Sequence, residues 1–200
     1  MSEEAEYTTV AGNGSFSFET RGSEFVGYAA RAPDAGSAEG YLKEARDDHP
    51  DATHHVYAYR VRTDPLCERY DDAGEPSGSA GKPVLNVLQG EGVEDAVAVV
   101  VRYYGGTNLG YGGLVRAYSE ATKGALEDAG RIQEVPRATV RVEVEYDDSG
   151  TARSVIESEG YDFEADYGEA VAFIVRPPAE RAEALKDRIL SATGGRAKID

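Results

Sequence analysis

The sequence predicts an α+β protein built as two domains, and three observations carry that expectation. Its 200 residues suffice for one sizeable core or two small ones, and 40% of them are hydrophobic. Strand-like and helix-like periodicities are mixed along the chain. After Pro136 the pattern restarts, and the remainder reads β-α-β-β-α-β.

In the first half, Ser15–Glu19 and Phe25–Arg31 alternate as strands do. A helix is expected from about Ser37 to Asp48, between the Pro33-Asp34 turn signal and Pro50. Thr53–Val61 reads as a strand, with His55, Tyr57 and Tyr59 facing one way and His54, Val56 and Ala58 the other. The Asp-, Gly-, Pro- and Ser-rich stretch from Thr63 to Gly81 predicts one long loop, a length that usually signals function. Lys82–Gln89 reads as a short helix with Pro83 in its first turn, where a missing N–H costs little. Ala96–Tyr103 is the continuous apolar run of a buried central strand. An apolar-periodic helix from about Gly112 to Ala129 follows, with Gly130 at its C-cap.

In the second half, Arg137–Tyr146 alternates as a strand and Ser149–Glu159 reads as a helix. Tyr161–Tyr167 and Ala170–Arg176 are strands, Ala179–Thr193 is a helix stopped by Gly194-Gly195, and Arg196–Ile199 is a last short strand. This order is the split-βαβ, or ferredoxin-like, arrangement. The expected domains are 1–134 and 135–200.

The charge is unusual. With 37 acidic against 21 basic side chains, the formal net charge is −16. Many carboxylates and scarce lysine suggest a halophilic source, in which surface carboxylates keep a protein hydrated in strong salt. Residues 74–124 escape this bias, with Glu75, Glu91, Glu94, Asp95 and Glu120 against Lys82, Arg102, Arg116 and Lys123. No apolar run reaches a membrane span, and the acidic start Met-Ser-Glu-Glu-Ala-Glu has no secretory h-region. One cysteine, Cys67, makes no internal disulfide, so a cytoplasmic location is expected.

Two glycine-rich segments hold the candidate chemistry. Gly74-Glu75-Pro76-Ser77-Gly78-Ser79-Ala80-Gly81-Lys82-Pro83 ends like a P-loop but has Pro76 and Pro83 where that motif needs glycine and a hydroxyl residue. It is no nucleophile elbow either, since neither Ser77 nor Ser79 is flanked by glycines two residues away on both sides. What remains is a loop of small residues whose N–H groups converge at a helix start, where anions are attracted. Arg102-Tyr103-Tyr104-Gly105-Gly106-Thr107-Asn108-Leu109-Gly110-Tyr111-Gly112-Gly113-Leu114-Val115-Arg116 has the context of a dinucleotide fingerprint, but Val115 stands at the third glycine. His54 and His55 point to opposite faces of their strand and cannot share a metal without distortion. Asp71, Asp72 and Glu75 read as a solvated acidic turn rather than magnesium ligands. Neither a metal nor a cofactor is expected.

These two segments, continued through Ala117-Tyr118, closely resemble the IMPACT family. Phe25-Val26-Gly27-Tyr28-Ala29 and Asp51-Ala52-Thr53-His54-His55-Val56-Tyr57-Ala58-Tyr59-Arg60 add to a likeness that spans residues 15–130. The resemblance implies an N-terminal domain like that of RNase PH and a small-subunit ribosomal protein, a β-sheet with helices on one face. It also implies a ferredoxin-like C-terminal domain, as in the family's prokaryotic members, and a role linked to translation. Kinase regulation by eukaryotic members uses an extra RWD-type domain, for which there is no room before residue 15.

The leading expectation is therefore a non-enzymatic binding protein that contacts RNA, ribosomes or translation factors through a glycine-rich cleft. The alternative is an enzyme on a small phosphorylated or nucleotide substrate, with Lys82, Arg102 and Arg116 gripping the anion and His54 or Glu75 as acid or base. The expected ligand-binding set is Glu75, Ser77, Gly78, Ser79, Lys82, Arg102, Tyr103, Gly105, Gly106, Gly110, Gly112, Gly113 and Arg116, with His54 and His55 secondary. Its expected geometry brings the 74–82 and 104–113 loops together, with Lys82 and Arg116 on opposite walls and Arg102 at the floor.

Overall fold

The apolar run that begins at Ala96 is buried on both faces of a sheet, and the rest of the first half supplies the two covers. The computed structural model describes residues 6–63 and 65–200. They form two compact units, one spanning Tyr7–Glu134 and the other containing Val135–Asp200.

The first unit runs β1 (Tyr7–Val10), β2 (Gly14–Thr20), β3 (Ser23–Arg31), α1 (Ala35–Asp48), β4 (His54–Val61), β5 (Cys67–Asp71), α2 (Gly81–Gly90), β6 (Ala96–Tyr103), α3 (Tyr111–Ala129) and β7 (Arg131–Glu134). Its main sheet has the order β2-β3-β6-β4-β5, antiparallel throughout. Leu85 and Leu88 of α2 and Leu114, Tyr118 and Leu126 of α3 pack with Phe25, Val56, Ala98 and Val100 of the sheet. Leu42 and Ala45 of α1 pack on the other face with Tyr59, Val61, Val97, Val99 and Val101. The helices therefore cover both faces rather than one. The cause lies in β6, whose two sets of alternate side chains are both apolar and both need a cover.

Two further differences from the sequence reading share a cause. The expected 63–81 loop contains β5, an edge strand that among the described residues pairs only with β4 and is mostly exposed. Its Cys-Glu-Arg-Tyr-Asp composition shows no apolar alternation. β1 and β7 pair as a separate two-stranded ribbon, too short to carry a periodicity. α1 starts two residues earlier than expected because Asp34 caps it, its carboxylate accepting from the Ser37 N–H at 2.7 Å.

Between β2 and β3 the turn is Thr20-Arg21-Gly22-Ser23, with φ of +48° at Arg21 and +78° at Gly22. Both central residues are left-handed, the type I′ geometry that favours Asn-Gly. An arginine at the first of these positions costs of order 1 kcal/mol.

The second unit runs β8 (Val140–Val144), α4 (Tyr146–Ser158), β9 (Phe163–Tyr167), β10 (Val171–Val175), a 3₁₀ turn (Ala179–Arg181), α5 (Ala182–Ala192) and β11 (Lys198–Ile199). Sheet order β11-β8-β10-β9, all antiparallel, gives the ferredoxin-like fold. Val142, Phe173 and Val175 meet Ile156, Leu185 and Ile189 in its core. α4 begins at Tyr146 instead of Ser149, which places Asp147 and Asp148 in its first turn, where the helix dipole favours them. Asp148 also accepts two hydrogen bonds from Arg196, at 2.8 and 2.7 Å, and these hold its carboxyl below the usual range. Among the described residues no helix is long and apolar enough to cross a membrane.

α3 rests on β3 where a Cβ at Gly27 would overlap the Ala121 carbonyl. Gly27→Ala is expected to force helix and strand apart and destabilise the first unit by about 1–3 kcal/mol, a typical cost of overpacking. Chemical denaturation checks this, and an unchanged midpoint would show that α3 is not seated as described.

Candidate functional site at the glycine-rich end of the first unit

Sheet register gathers the glycine-rich loops at one end. Glu24 lies opposite Tyr103 and His54 opposite Arg102, so β6 ends where β3 and β4 begin. The loop after β5 and the loop after β6 each lead straight into a helix, α2 and α3. They touch through Tyr111, whose hydroxyl donates to the Gly78 carbonyl at 3.0 Å. The two loops thus come together, as expected.

Arg102 occupies the centre of this end, but not as an open floor. It is only 3% exposed. Its Nη1 donates to Glu75 Oε1 at 2.6 Å and its Nη2 to Ser23 Oγ at 3.2 Å. The guanidinium lies 5.3 Å from the Phe25 ring centroid and 5.2 Å from that of Tyr104. Its Nε is buried without a hydrogen-bond partner. Glu75 Oε1 also accepts from the Tyr118 hydroxyl at 2.7 Å, and His54 Nε2 stands 3.7 Å from it. Burial, reinforced by the bond to Glu75, pushes the Tyr118 phenol far above its usual range, so it stays a donor.

A second carboxylate fills the turn before α2. Asp72 Oδ2 accepts from the Gly78 N–H at 2.7 Å, and its Oδ1 accepts from Ala80 and Gly81 at 3.1 and 2.8 Å. The amides expected to attract an external anion are taken by an internal one. Ser79 is equally occupied, its hydroxyl donating to the Pro76 carbonyl at 2.6 Å. Asp71 accepts from the Ala73 N–H at 2.6 Å, so both aspartates are turn formers.

The expected walls do not face each other across Arg102. Lys82 is half-buried, with its Nζ 5.7 Å from the Tyr70 ring centroid, beside the β5 edge of the sheet. Arg116 is exposed and lines cavities with β2 residues, at the opposite edge. The reason is the sheet order, which puts three strands between β2 and β5. Tyr103 points away as well: its hydroxyl bonds His49 Nδ1 at 2.8 Å, and it packs with the α1 cluster. His54 donates to the Ala73 carbonyl at 2.9 Å, whereas His55 bonds the His49 carbonyl at 3.0 Å. Burial lowers the pKa of His55 and favours its neutral form.

The glycines divide by role. Gly105 donates to Ser23 Oγ at 3.2 Å, and a Cβ on it would overlap the Gly22 carbonyl. That close approach pins the β2–β3 turn to the loop after β6. Gly78, Gly106 and Gly110 are left-handed, with φ of +77°, +84° and +72°. Gly112 and Gly113 lie in the first turn of α3, and Ser77 is exposed.

Sequence reasoning missed Ser23, Thr53 and Tyr118, and read Asp72 only as part of a solvated acidic turn. Ser23 carried no signal, and Thr53 looked like an ordinary strand residue although its hydroxyl accepts from the Tyr104 N–H at 3.0 Å. Tyr118 sits on the apolar stripe of α3 and reads as core. Only Asp72, an acidic residue ahead of a turn and a helix, offered a usable sign.

Fold and site together define a two-domain α+β protein whose first domain carries a glycine-rich end organised by internal ion pairs, and whose second is ferredoxin-like. The chain belongs to the IMPACT family. Residues 21–126 match the Impact N-terminal domain, and residues 142–196 match a domain of unknown function, DUF1949. It is 34% identical to the IMPACT family member YigZ of Escherichia coli, over 82% of this chain and 81% of that protein. It is 29% identical to YvyE of Bacillus subtilis, over 96% and 89%. A crystal structure described as a hypothetical protein superposes with a TM-score of 0.75 at 29% identity, covering 97% of this chain and 96% of the other.

Two outcomes follow from the buried pair. Glu75→Gln leaves the Arg102 charge without a counter-ion and is expected to cost about 3–5 kcal/mol in chemical denaturation. A loss under about 1 kcal/mol would mean that the pair is solvated. Tyr118→Phe bears on pH. The unfolded phenol ionises near about 10 while the folded one resists, so its contribution is full below that pH and is lost as pH rises toward the folded value. Denaturation midpoints above about pH 10 should therefore fall less steeply in Tyr118→Phe than in the parent chain.

Proposed function

We propose that this protein is a non-enzymatic binding module of the translation machinery, and that it engages single-stranded RNA at the glycine-rich end of its first domain. One observation carries the reading: the internal charges at that end are matched by the chain's own groups, while two anchored tyrosine rings stand at the rim. Tyr104 is 44% exposed, its hydroxyl donating to Asn108 Oδ1 at 3.1 Å. Tyr111 is 59% exposed and fixed by its bond to Gly78. Rings held by one end and open on a face are stacking platforms for bases. The glycines between them let a nucleotide backbone approach closely.

Membership of the IMPACT family supports the link to translation, since the family's likeness implies that setting. The acidic bias of the chain fits contacts that lean on stacking, because phosphate contacts weaken steeply as salt rises. An enzyme on a small phosphorylated or nucleotide substrate would draw on Arg102 and Glu75. Each is about 4% exposed at the side chain and bonded to the other, which favours a structural role for both.

Fluorescence anisotropy with a labelled single-stranded RNA, in high and in moderate potassium chloride, tests the proposal. Tyr104→Ala and Tyr111→Ala should each weaken binding by about 5- to 150-fold, the equivalent of about 1–3 kcal/mol of stacking. Absence of RNA and ribosome binding by the parent chain at both salt levels would overturn it.

A further inference from the structure

The β2 edge of the first domain holds a second feature, independent of the tyrosine rim. A cavity of about 170 Å³ is lined by Phe18, Thr20, Arg21, Leu109, Arg116 and Glu120, among others. It is bounded by the β2–β3 turn on one side and the first turns of α3 on the other. Arg116 and Glu120 also line a larger groove of about 500 Å³, which continues along α3 past Phe16 and Lys123. Phe16 is 37% exposed there, and its ring lies on the surface that Gly124 leaves bare.

Arginines elsewhere in this acid-rich chain divide: among the described residues Arg46, Arg69, Arg137, Arg141 and Arg181 also form no ion pair, whereas others do. Arg31 is paired with Glu134, Arg62 with Glu94, Arg131 with Glu91 and Arg196 with Asp148. Among the described residues, Arg21 and Arg116 form no ion pair, although both line one small cavity with a carboxylate in it. Two arginines against Glu120 give the residues that line the cavity a net charge of plus one. Arg21 is moreover held in left-handed backbone where asparagine or glycine fits better. The turn cannot swing away, because Gly105 packs against Gly22. The backbone of the turn is therefore held beside the cavity by the fold.

We infer that this cavity is a phosphate site, in which Arg21 and Arg116 grip the oxyanion of a nucleotide and Thr20 supplies a hydroxyl. Paired guanidiniums are the side chains best matched to a phosphate, since their planar forks donate in parallel. The adjoining groove takes the organic part of the ligand against Phe16, and Glu120 is placed to accept from a sugar hydroxyl. The phosphate comes either from a free nucleotide or from the end of an RNA strand.

The test is NMR and calorimetric titration of the full chain in potassium chloride with inorganic phosphate, with adenosine monophosphate and with a 5′-phosphorylated RNA octamer. Saturable shifts at Gly112, Gly113 and the Arg116 side chain are expected with the nucleotide, with weaker binding of phosphate alone. Arg116→Ala should weaken nucleotide binding at least about tenfold. Arg21→Asn should do the same while raising the denaturation midpoint, because asparagine suits the turn. That pairing of tighter fold with lost binding separates a ligand role from a structural one. Binding of the octamer without the mononucleotide assigns the phosphate to an RNA end and still supports the site, provided that it is lost in both variants. No saturable binding of any probe, or binding unchanged in both variants, overturns the site. The rim reading fails if Tyr104→Ala leaves binding of the RNA unchanged, whereas this one fails on the mononucleotide and the two arginine variants, so the two failures are distinguishable.

Discussion

A guanidinium removed from water needs a counter-charge and acceptors for its donors, and the position of Arg102 imposes that need on everything around it. β6 is apolar through Val101 and ends in a charge, at a depth where only 3% of Arg102 remains exposed. Glu75 has to come from a different segment, which draws the loop after β5 across the end of β4 and onto β6. Ser23 brings in the start of β3, and Tyr118 brings in α3. Four elements are thus registered by one ion pair. Such a pair adds little net stability relative to an apolar core, because desolvation offsets the attraction; what it supplies is position.

Asp72 extends the same logic to the start of α2. Ahead of this helix lies a glycine-rich turn with converging amides, a geometry that commonly receives phosphate. Here a carboxylate from the chain sits in it and accepts three of those N–H groups. The turn is consequently satisfied without a ligand and rigid without one. A loop that is already neutralised and fixed serves better as a platform than as a reaction site, which directs attention to the side chains it presents rather than to those it hides.

Much of the fold could be read from the chain because its signals are local. The Ala96–Tyr103 run, the α3 periodicity and the β-α-β-β-α-β order after Pro136 each declare themselves within a few residues. β5 and β1 did not, since a charged edge strand and a four-residue ribbon owe their pairing to neighbours supplied by distant sequence. The same divide runs through the site. That the two glycine loops would meet was legible. Which cation would be buried was not: Arg102, Arg116 and Lys82 look equivalent in sequence, and only the order of the strands sends one to the centre and the others to opposite edges. Helices on both faces could have been deduced from β6 itself, because a strand apolar at every position from Ala96 to Val101 cannot leave one face bare.

Charge gives the last distinction among these cations. In a chain with 37 acidic and 21 basic side chains, a basic group has many possible partners, so being paired says little. Being unpaired beside a second unpaired arginine says more. Arg102 is neutralised inside the fold, and Lys82 lies over Tyr70, where the ring and the strand edge account for it. Arg21 and Arg116 are unpaired and also line one cavity, from the β2–β3 turn and from α3. Two like charges brought close together repel. Their shared cavity is therefore a place where the fold maintains an arrangement that its own internal interactions do not explain, beside a glycine-rich end where almost every other charge has been accounted for.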